Sequence, residues 1–284
     1  MVKIVADGEY FSVKDTVLCG QLFRYFSVGE NGAFYVNSAD KRCLAYNDGD
    51  KAVIECEEKD EEYFKNYFDL SRDYRAIVSS AKEQGDIIAK AGELGKGVRI
   101  LNQNRAEALF SFIVSQNNNI PRIKGIMERL CVGAGNKRVF HGEEYYTFPT
   151  AEELSAKPLS FFKEIGLGYR AEYIKRLADD FTEVFNEKEF DLLSTADLKK
   201  RLVWIYGVGP KVADCVSLFG FHRSDSFPVD TWIEKVYRED MKGALTDRVK
   251  IADECVIKFG DNAGYFQQYL FYFKRSLEKT ENKG

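Results

Sequence analysis

Near Asp60 the hydrophobic period of this chain changes from two residues to about 3.6, and it does not change back. Ahead of that point the sequence reads as strands and tight turns. Residues 23–28, Phe-Arg-Tyr-Phe-Ser-Val, alternate, Asn31-Gly32 supplies a hairpin signal, and Ala-Phe-Tyr-Val follows at 33–36. Segments 42–46 and 52–56 flank a second turn at Asp48-Gly49, which predicts an antiparallel meander. Beyond Asp60 the pattern is helical. Residues 107–116 place Leu109, Phe112, Ile113 and Gln116 on one stripe, and Asn119 with Pro121 reads as the cap and first turn of a helix over 123–130. Further amphipathic stretches cover 151–163, 171–185, 195–205, 211–221, 231–237 and 265–277. The expected fold class is α+β: an antiparallel sheet domain with flanking helices over residues 1–95, then a mostly helical domain or domains over 96–284.

Composition narrows the chemistry. Of 284 residues 45% are apolar, with 22 Phe, 16 Tyr and 2 Trp, ample for a buried core. No run approaches the roughly 18 apolar residues of a membrane span, and the N-terminus lacks a signal-peptide core. The expectation is a soluble protein of a prokaryotic cytoplasm, without a membrane partner or a targeting segment. Six cysteines, at 19, 43, 56, 131, 215 and 255, include no C-x-x-C pair, and the histidines number two. A zinc ribbon, a clustered iron–sulfur centre and Ser-His-Asp hydrolysis are therefore disfavoured. No cofactor and no catalytic metal are expected, and scattered thiols fit a reducing compartment. The net charge of −4 conceals an asymmetry. Residues 1–95 carry 12 Lys/Arg against 18 Asp/Glu, whereas residues 99–138 carry 7 against 2. A locally basic face compatible with anions and a merely solvated surface both satisfy these counts.

The most informative stretch is 202–216, Leu-Val-Trp-Ile-Tyr-Gly-Val-Gly-Pro-Lys-Val-Ala-Asp-Cys-Val. Gly207 and Gly209, followed at once by Pro210, end one helix and begin the next within a turn, predicting a helix–hairpin–helix at about 198–221. Ala213 is small where the two helices must cross. Such a hairpin aims free backbone N–H groups at an anion, most naturally a phosphate, although an ordinary helix corner has the same ingredients. Lys211 sits at the start of the second helix. A lysine's ordinary pKa lies near 10.4, and a desolvated place at a helix N-terminus favours the free amine needed of a nucleophile; a simple phosphate contact is the plainer alternative. Asp230, 19 residues on, precedes the helix at 231–237 and reads as its N-cap. A carboxylate so held also suits stabilisation of a developing positive charge beside it.

The hairpin lysine followed by Val-Asp on the next helix resembles the helix-hairpin-helix glycosylases of DNA base-excision repair, and within them the 8-oxoguanine DNA glycosylase/AP lyase family. Six motifs spread over nearly the whole chain carry the resemblance: Cys19-Gly-Gln-Leu-Phe-Arg24, the run 110–120 containing Gln116-Asn117, Gly166-Leu-Gly-Tyr169-Arg170, residues 207–215, Pro228-Val-Asp230, and residues 263–271. It implies a bifunctional enzyme that flips 8-oxoguanine out of duplex DNA, prefers cytosine opposite, and acts as a monomer. Lys211 would displace the base from C1′ and form a Schiff base leading to β-elimination, with Asp230 stabilising the transition state. Cys215 and Phe271 would sandwich the base, Gln267 would read its Watson–Crick edge, and the Gly20 carbonyl would meet the N7–H that guanine lacks. Asn117, Arg122 and Arg170 would bond the orphaned cytosine, Tyr169 would wedge into the stack, and the backbone of Gly207, Gly209 and Val212 would hold phosphate. A structural monovalent cation on the carbonyls of Val203, Ile205 and Val208 follows by the same analogy.

One departure stands out. Two residues past the aspartate the family often carries a histidine that touches phosphate, and here Trp232 can donate an N–H but carries no charge. No C-terminal four-cysteine cluster is present, unlike the iron–sulfur branch. The rival readings are a monofunctional alkylbase or mismatch glycosylase, against which Lys211 speaks, and a non-catalytic helix-hairpin-helix module, which has no use for the pocket motifs.

Overall fold

The computed structural model describes residues 1–29 and 32–281, with side chains through Leu277. The sheet contains β1 (Val2–Asp7), β2 (Tyr25–Val28), β3 (Ala33–Ser38), β4 (Lys41–Asp48) and β5 (Lys51–Cys56), all antiparallel in the order β1-β5-β4-β3-β2. The four expected strands form the meander. Asn31 of the first turn lies outside the described residues, while Val28 pairs with Ala33 across it. The edge strand β1 and the helix Val13–Leu18 were not anticipated. That helix begins at Ser12, whose side chain accepts from the Asp15 N–H.

The helical remainder needs two corrections. The period does not stay helical to the end: β6 (Lys137–Phe140) and β7 (Glu143–Tyr146) form a hairpin. Its turn residues His141 and Gly142 both have positive φ, 53° and 78°, as a type I′ turn requires. The stretch 151–163 divides into helices Ala151–Ser155 and Leu159–Glu164, because a residue before proline, here Lys157 ahead of Pro158, avoids helical backbone. Elsewhere the helices fall near their expected places, including Arg105–Ser115, Ile120–Ala134, Arg170–Asp179, Thr195–Val203, Pro210–Phe219, Thr231–Lys235 and Ala263–Glu281.

Two apolar cores result. One lies beneath the sheet and contains Phe11, Val17, Phe34, Val36, Ile54, Phe64 and Phe68. The other fills the helical part and already includes Tyr74, Ile77 and Ile88 from the helices Tyr74–Ala81 and Asp86–Leu94. Segment 99–103 stitches the cores together. Gln21, fully buried, donates to the Arg99 carbonyl at 2.7 Å and accepts from Leu101 N–H at 2.8 Å, while Gln103 N–H donates to Phe219 O at the end of the second hairpin helix. Arg24 adds a buried ion pair with Glu107 at 3.1 Å, and Glu107 also accepts from Ala39 N–H between β3 and β4. A pair this deeply buried tolerates no loss of one partner, so the sheet is locked to the helix Arg105–Ser115.

Candidate active site

Helices Thr195–Val203 and Pro210–Phe219 are joined by a six-residue turn, close to the expected hairpin. Gly207 adopts φ 87°, and a Cβ there would fall 2.5 Å from the Tyr173 ring, so both backbone and space exclude a side chain. Gly209 caps the second helix without any side-chain hydrogen bond, and Pro210 occupies its first turn. The opening N–H groups of that helix are thus left for an acceptor from outside. Val203, Ile205 and Val208 line one hollow of about 480 Å³ beside the turn. The Ile205 carbonyl already accepts the Val208 N–H at 2.9 Å, and a second lone pair on that oxygen remains for a cation.

Lys211 and Asp230 meet in a cleft of about 590 Å³ whose rim includes Asn117, Tyr169, Val212, Trp232 and Arg248. Lys211 is half-buried, its Nζ 5.8 Å from the centre of the Phe112 ring and beside the Cys215 thiol. Burial pushes that thiol up to about 11, with Lys211 pulling the other way, so Cys215 presents a neutral, polarizable sulfur at neutral pH. Asp230 caps Thr231–Lys235: its Oδ1 accepts from Trp232 N–H at 3.0 Å and Ile233 N–H at 2.9 Å. The capping expectation is therefore met, and the carboxylate is fixed in orientation. Lys211 and Asp230 form no ion pair with each other.

Asp214, immediately before Cys215 on the helix, is buried, and burial raises its carboxyl to about 6 despite the Lys199 ammonium 3.0 Å away. Sequence reasoning gave it no role.

Gly20 packs against the helix Ala263–Glu281. Gly20 has φ 104°, and a Cβ there would lie 3.0 Å from Phe271 and 2.7 Å from the guanidinium of Arg275. Arg275 was missed at the sequence level. Its Nη1 donates to the Cys19 carbonyl at 3.0 Å and the guanidinium lies 5.2 Å from the Phe271 ring centre. Spacing offered a signal, since Arg275 follows Phe271 by one helical turn. Gln267 is 5% exposed and donates from Nε2 to Pro228 O at 3.1 Å, which fixes the amide and leaves Oε1 buried without a partner. An unpartnered buried acceptor is free to take a donor from water or from a bound molecule.

The other side of the cleft is more open. Asn117 is exposed at φ 45°, in the left-handed region unusual for a side-chain-bearing residue. Arg122 is exposed, with one bond to Gly166 O at 3.3 Å. Tyr169, 52% exposed, stands against Tyr173 at 5.7 Å between ring centres. Arg170 differs in kind. It is 3% exposed and its guanidinium donates to the carbonyls of Gln116, Asn117 and Leu167, so it clamps the loop that presents Asn117.

No helix among the described residues is long and apolar enough to cross a membrane, and no group of three or more His, Cys, Asp and Glu among them could hold a metal. The six cysteines are free and buried.

Comparison with known proteins agrees with this geometry. Residues 3–109 match the family described as the 8-oxoguanine DNA glycosylase N-terminal domain, and residues 110–245 match the HhH-GPD superfamily of base excision DNA repair proteins. A structure of MBOgg1 in complex with a low-affinity DNA ligand superposes with a TM-score of 0.92 at 36% identity, covering 98% of this chain and 97% of that one. The Clostridium acetobutylicum 8-oxoguanine glycosylase/lyase, in complex with double-stranded DNA containing cytosine opposite 8-oxoG, gives 0.90 at 36% identity over 95% and 93%. Among curated relatives, the N-glycosylase/DNA lyase of Saccharomyces cerevisiae is 38% identical over 158 residues, which are 51% of this chain and span 42% of the yeast protein.

Proposed function

This chain belongs to the 8-oxoguanine DNA glycosylases of the HhH-GPD superfamily, and from that membership we propose that it excises 8-oxoguanine from duplex DNA, preferably opposite cytosine, and then cleaves the abasic strand. The observation that carries the reading is the shared cleft: Lys211 and Asp230 come from different helices, face one space, and do not neutralise each other.

In the proposed sequence the hairpin N–H groups of Gly207, Gly209 and Val212 hold a phosphate, and the lesion rotates into the recess between Cys215 and Phe271. The free Gln267 Oε1 accepts from the purine's Watson–Crick edge. The Gly20 carbonyl accepts from N7–H, a donor that guanine lacks. The neutral amine of Lys211 attacks C1′ as the C1′–N9 electron pair departs with the base, which takes up a proton. Asp230 offsets the positive charge that develops on the sugar. Loss of a proton and ring opening give the Lys211 Schiff base, which acidifies C2′, and β-elimination expels the 3′ phosphate. Tyr169 fills the vacated stack. Asn117 and Arg122 meet the orphaned cytosine, and Arg170 supports them through the loop it clamps. A monovalent cation on the Val203, Ile205 and Val208 carbonyls would brace the hairpin, and no step runs through it. We further propose a monomer in a prokaryotic cytoplasm; six buried free thiols fit a reducing compartment.

Borohydride reduction on a duplex containing 8-oxoguanine tests the chemistry. The expected result is a covalent protein–DNA adduct that disappears in Lys211→Gln. Excision without trapping would instead indicate a monofunctional glycosylase, and binding without excision a DNA-binding module. Asp230→Asn should keep lesion binding while excision falls by at least about a hundredfold; undiminished excision would leave Asp230 as a cap alone.

A further inference from the structure

Beside the catalytic cleft, and sharing Gln116 and Gly209 with it, the hollow at the hairpin turn has a wall that base excision leaves without a task. Trp204 is 77% exposed and Tyr206 is also exposed, an unusual pair of large rings for a tight turn. An arginine covers each: the Arg201 guanidinium lies 5.3 Å from the Trp204 ring centre and that of Arg176 lies 4.5 Å from Tyr206. Tyr206 meets Tyr173 edge-on at 5.2 Å, and Tyr173 meets Tyr169, so the rings run without a gap from the turn to the wedge position. Each arginine also has an exposed ion-pair partner, Asp180 3.5 Å from Arg176 and Glu189 3.8 Å from Arg201, while the hollow itself is lined by no carboxylate.

We propose that this wall is a second DNA-backbone contact, one that holds the strand where it runs past the hairpin, beyond the lesion. Arg176 and Arg201 bind phosphate oxygens, and Trp204 and Tyr206 lie against the deoxyribose. The occupant is the same duplex. Continuity with the uncapped hairpin helix on one side and with Tyr169 on the other points to it, as does a lining that carries Arg176 and no carboxylate on a protein of net charge −4. Contacts of this kind position the enzyme without reading sequence. The inference rests on the repair reading above.

Binding to 8-oxoguanine duplexes of graded length provides the test, with the lesion fixed and the arms shortened from either end. Trp204→Ala should weaken binding severalfold on long duplexes and have no effect once the arm that reaches the hollow is removed. Arg176→Gln should make the dependence of log K on log salt shallower by about 1. The chain contains only two tryptophans, so in a Trp232→Phe background the emission of Trp204 should change on binding the long duplex and not the short one. Equal effects of Trp204→Ala on long and short duplexes, or wild-type affinity in both variants with Trp204 emission unchanged, would overturn the proposal. Excision by the unsubstituted protein, measured in the same reactions, reports separately on the repair reading: length-dependent binding without excision would keep the surface and discard the activity.

Discussion

The recess proposed for the damaged base and the face proposed for its orphaned partner are built in opposite ways. The residues proposed for the recess, Gly20, Cys215, Gln267 and Phe271, come from three distant parts of the chain. Arg275 holds the Cys19 carbonyl, and Pro228 O fixes the Gln267 amide. The orphan face takes Asn117 and Tyr169 from two exposed loops and Arg122 from the first turn of the helix Ile120–Ala134, and its chief brace is the buried fork of Arg170. A preorganised recess discriminates by geometry, whereas an exposed face adapts to what it meets. Selection among lesions should therefore be strict, and selection among opposing bases looser.

Gly20→Ala attacks the rigid side most directly, since the new Cβ meets Phe271 and Arg275 on backbone at φ 104°. Excision in single turnover should fall about a hundredfold, as displacements near 1 Å do in other active sites. Wild-type rates would mean that the recess yields as readily as the open face. Gln267→Leu removes the orphaned acceptor while keeping volume. Excision efficiency on 8-oxoguanine should fall about tenfold, equivalent to one hydrogen bond to the lesion; no fall would leave the base edge unread.

Asp214 probes the helix beneath the recess. Its carboxyl is raised to about 6 against an ordinary 3.8, so the folded state holds the proton more tightly than the unfolded chain. The stability contributed by that proton is present below pH 3.8 and is lost as pH rises through 6. Between pH 5 and pH 7 the wild type should lose about 1 kcal/mol more than Asp214→Asn in denaturant titrations. An equal loss would place the ionisation elsewhere. The smallest effect is expected on the open side. Asn117→Gly keeps the left-handed backbone and deletes the side chain, so the preference for cytosine over other opposing bases should weaken by about threefold to tenfold. A larger loss than that of Gly20→Ala would reverse the contrast between the two faces.

Several of these features are legible without coordinates. The strand segments at 23–28, 33–36, 42–46 and 52–56 announce themselves by alternation and turn residues. The hairpin does so by two glycines and a proline at a helix junction, and Asp230 by standing ahead of a helix start. Each signal is local, so neighbouring residues suffice. The hairpin β6–β7 escaped because His141-Gly142 is a less familiar pair for a left-handed turn than Asn-Gly. Arg24 and Glu107 escaped because either residue, read alone, belongs on a surface, and only their meeting 83 positions apart makes burial tolerable.

Sequence alone therefore settled the four-strand meander, the hairpin with its lysine, and a family membership spread over six motifs. All of these follow from short-range periodicity, backbone preference or residue identity. Tertiary packing decided that Lys211 and Asp230 face one cleft unpaired, that Gln267 keeps an empty acceptor, that Arg170 clamps a loop, and that Trp204 stands in solvent. Burial, pairing and exposure are properties of surfaces brought together from distant parts of the chain, and no local pattern of residues encodes them.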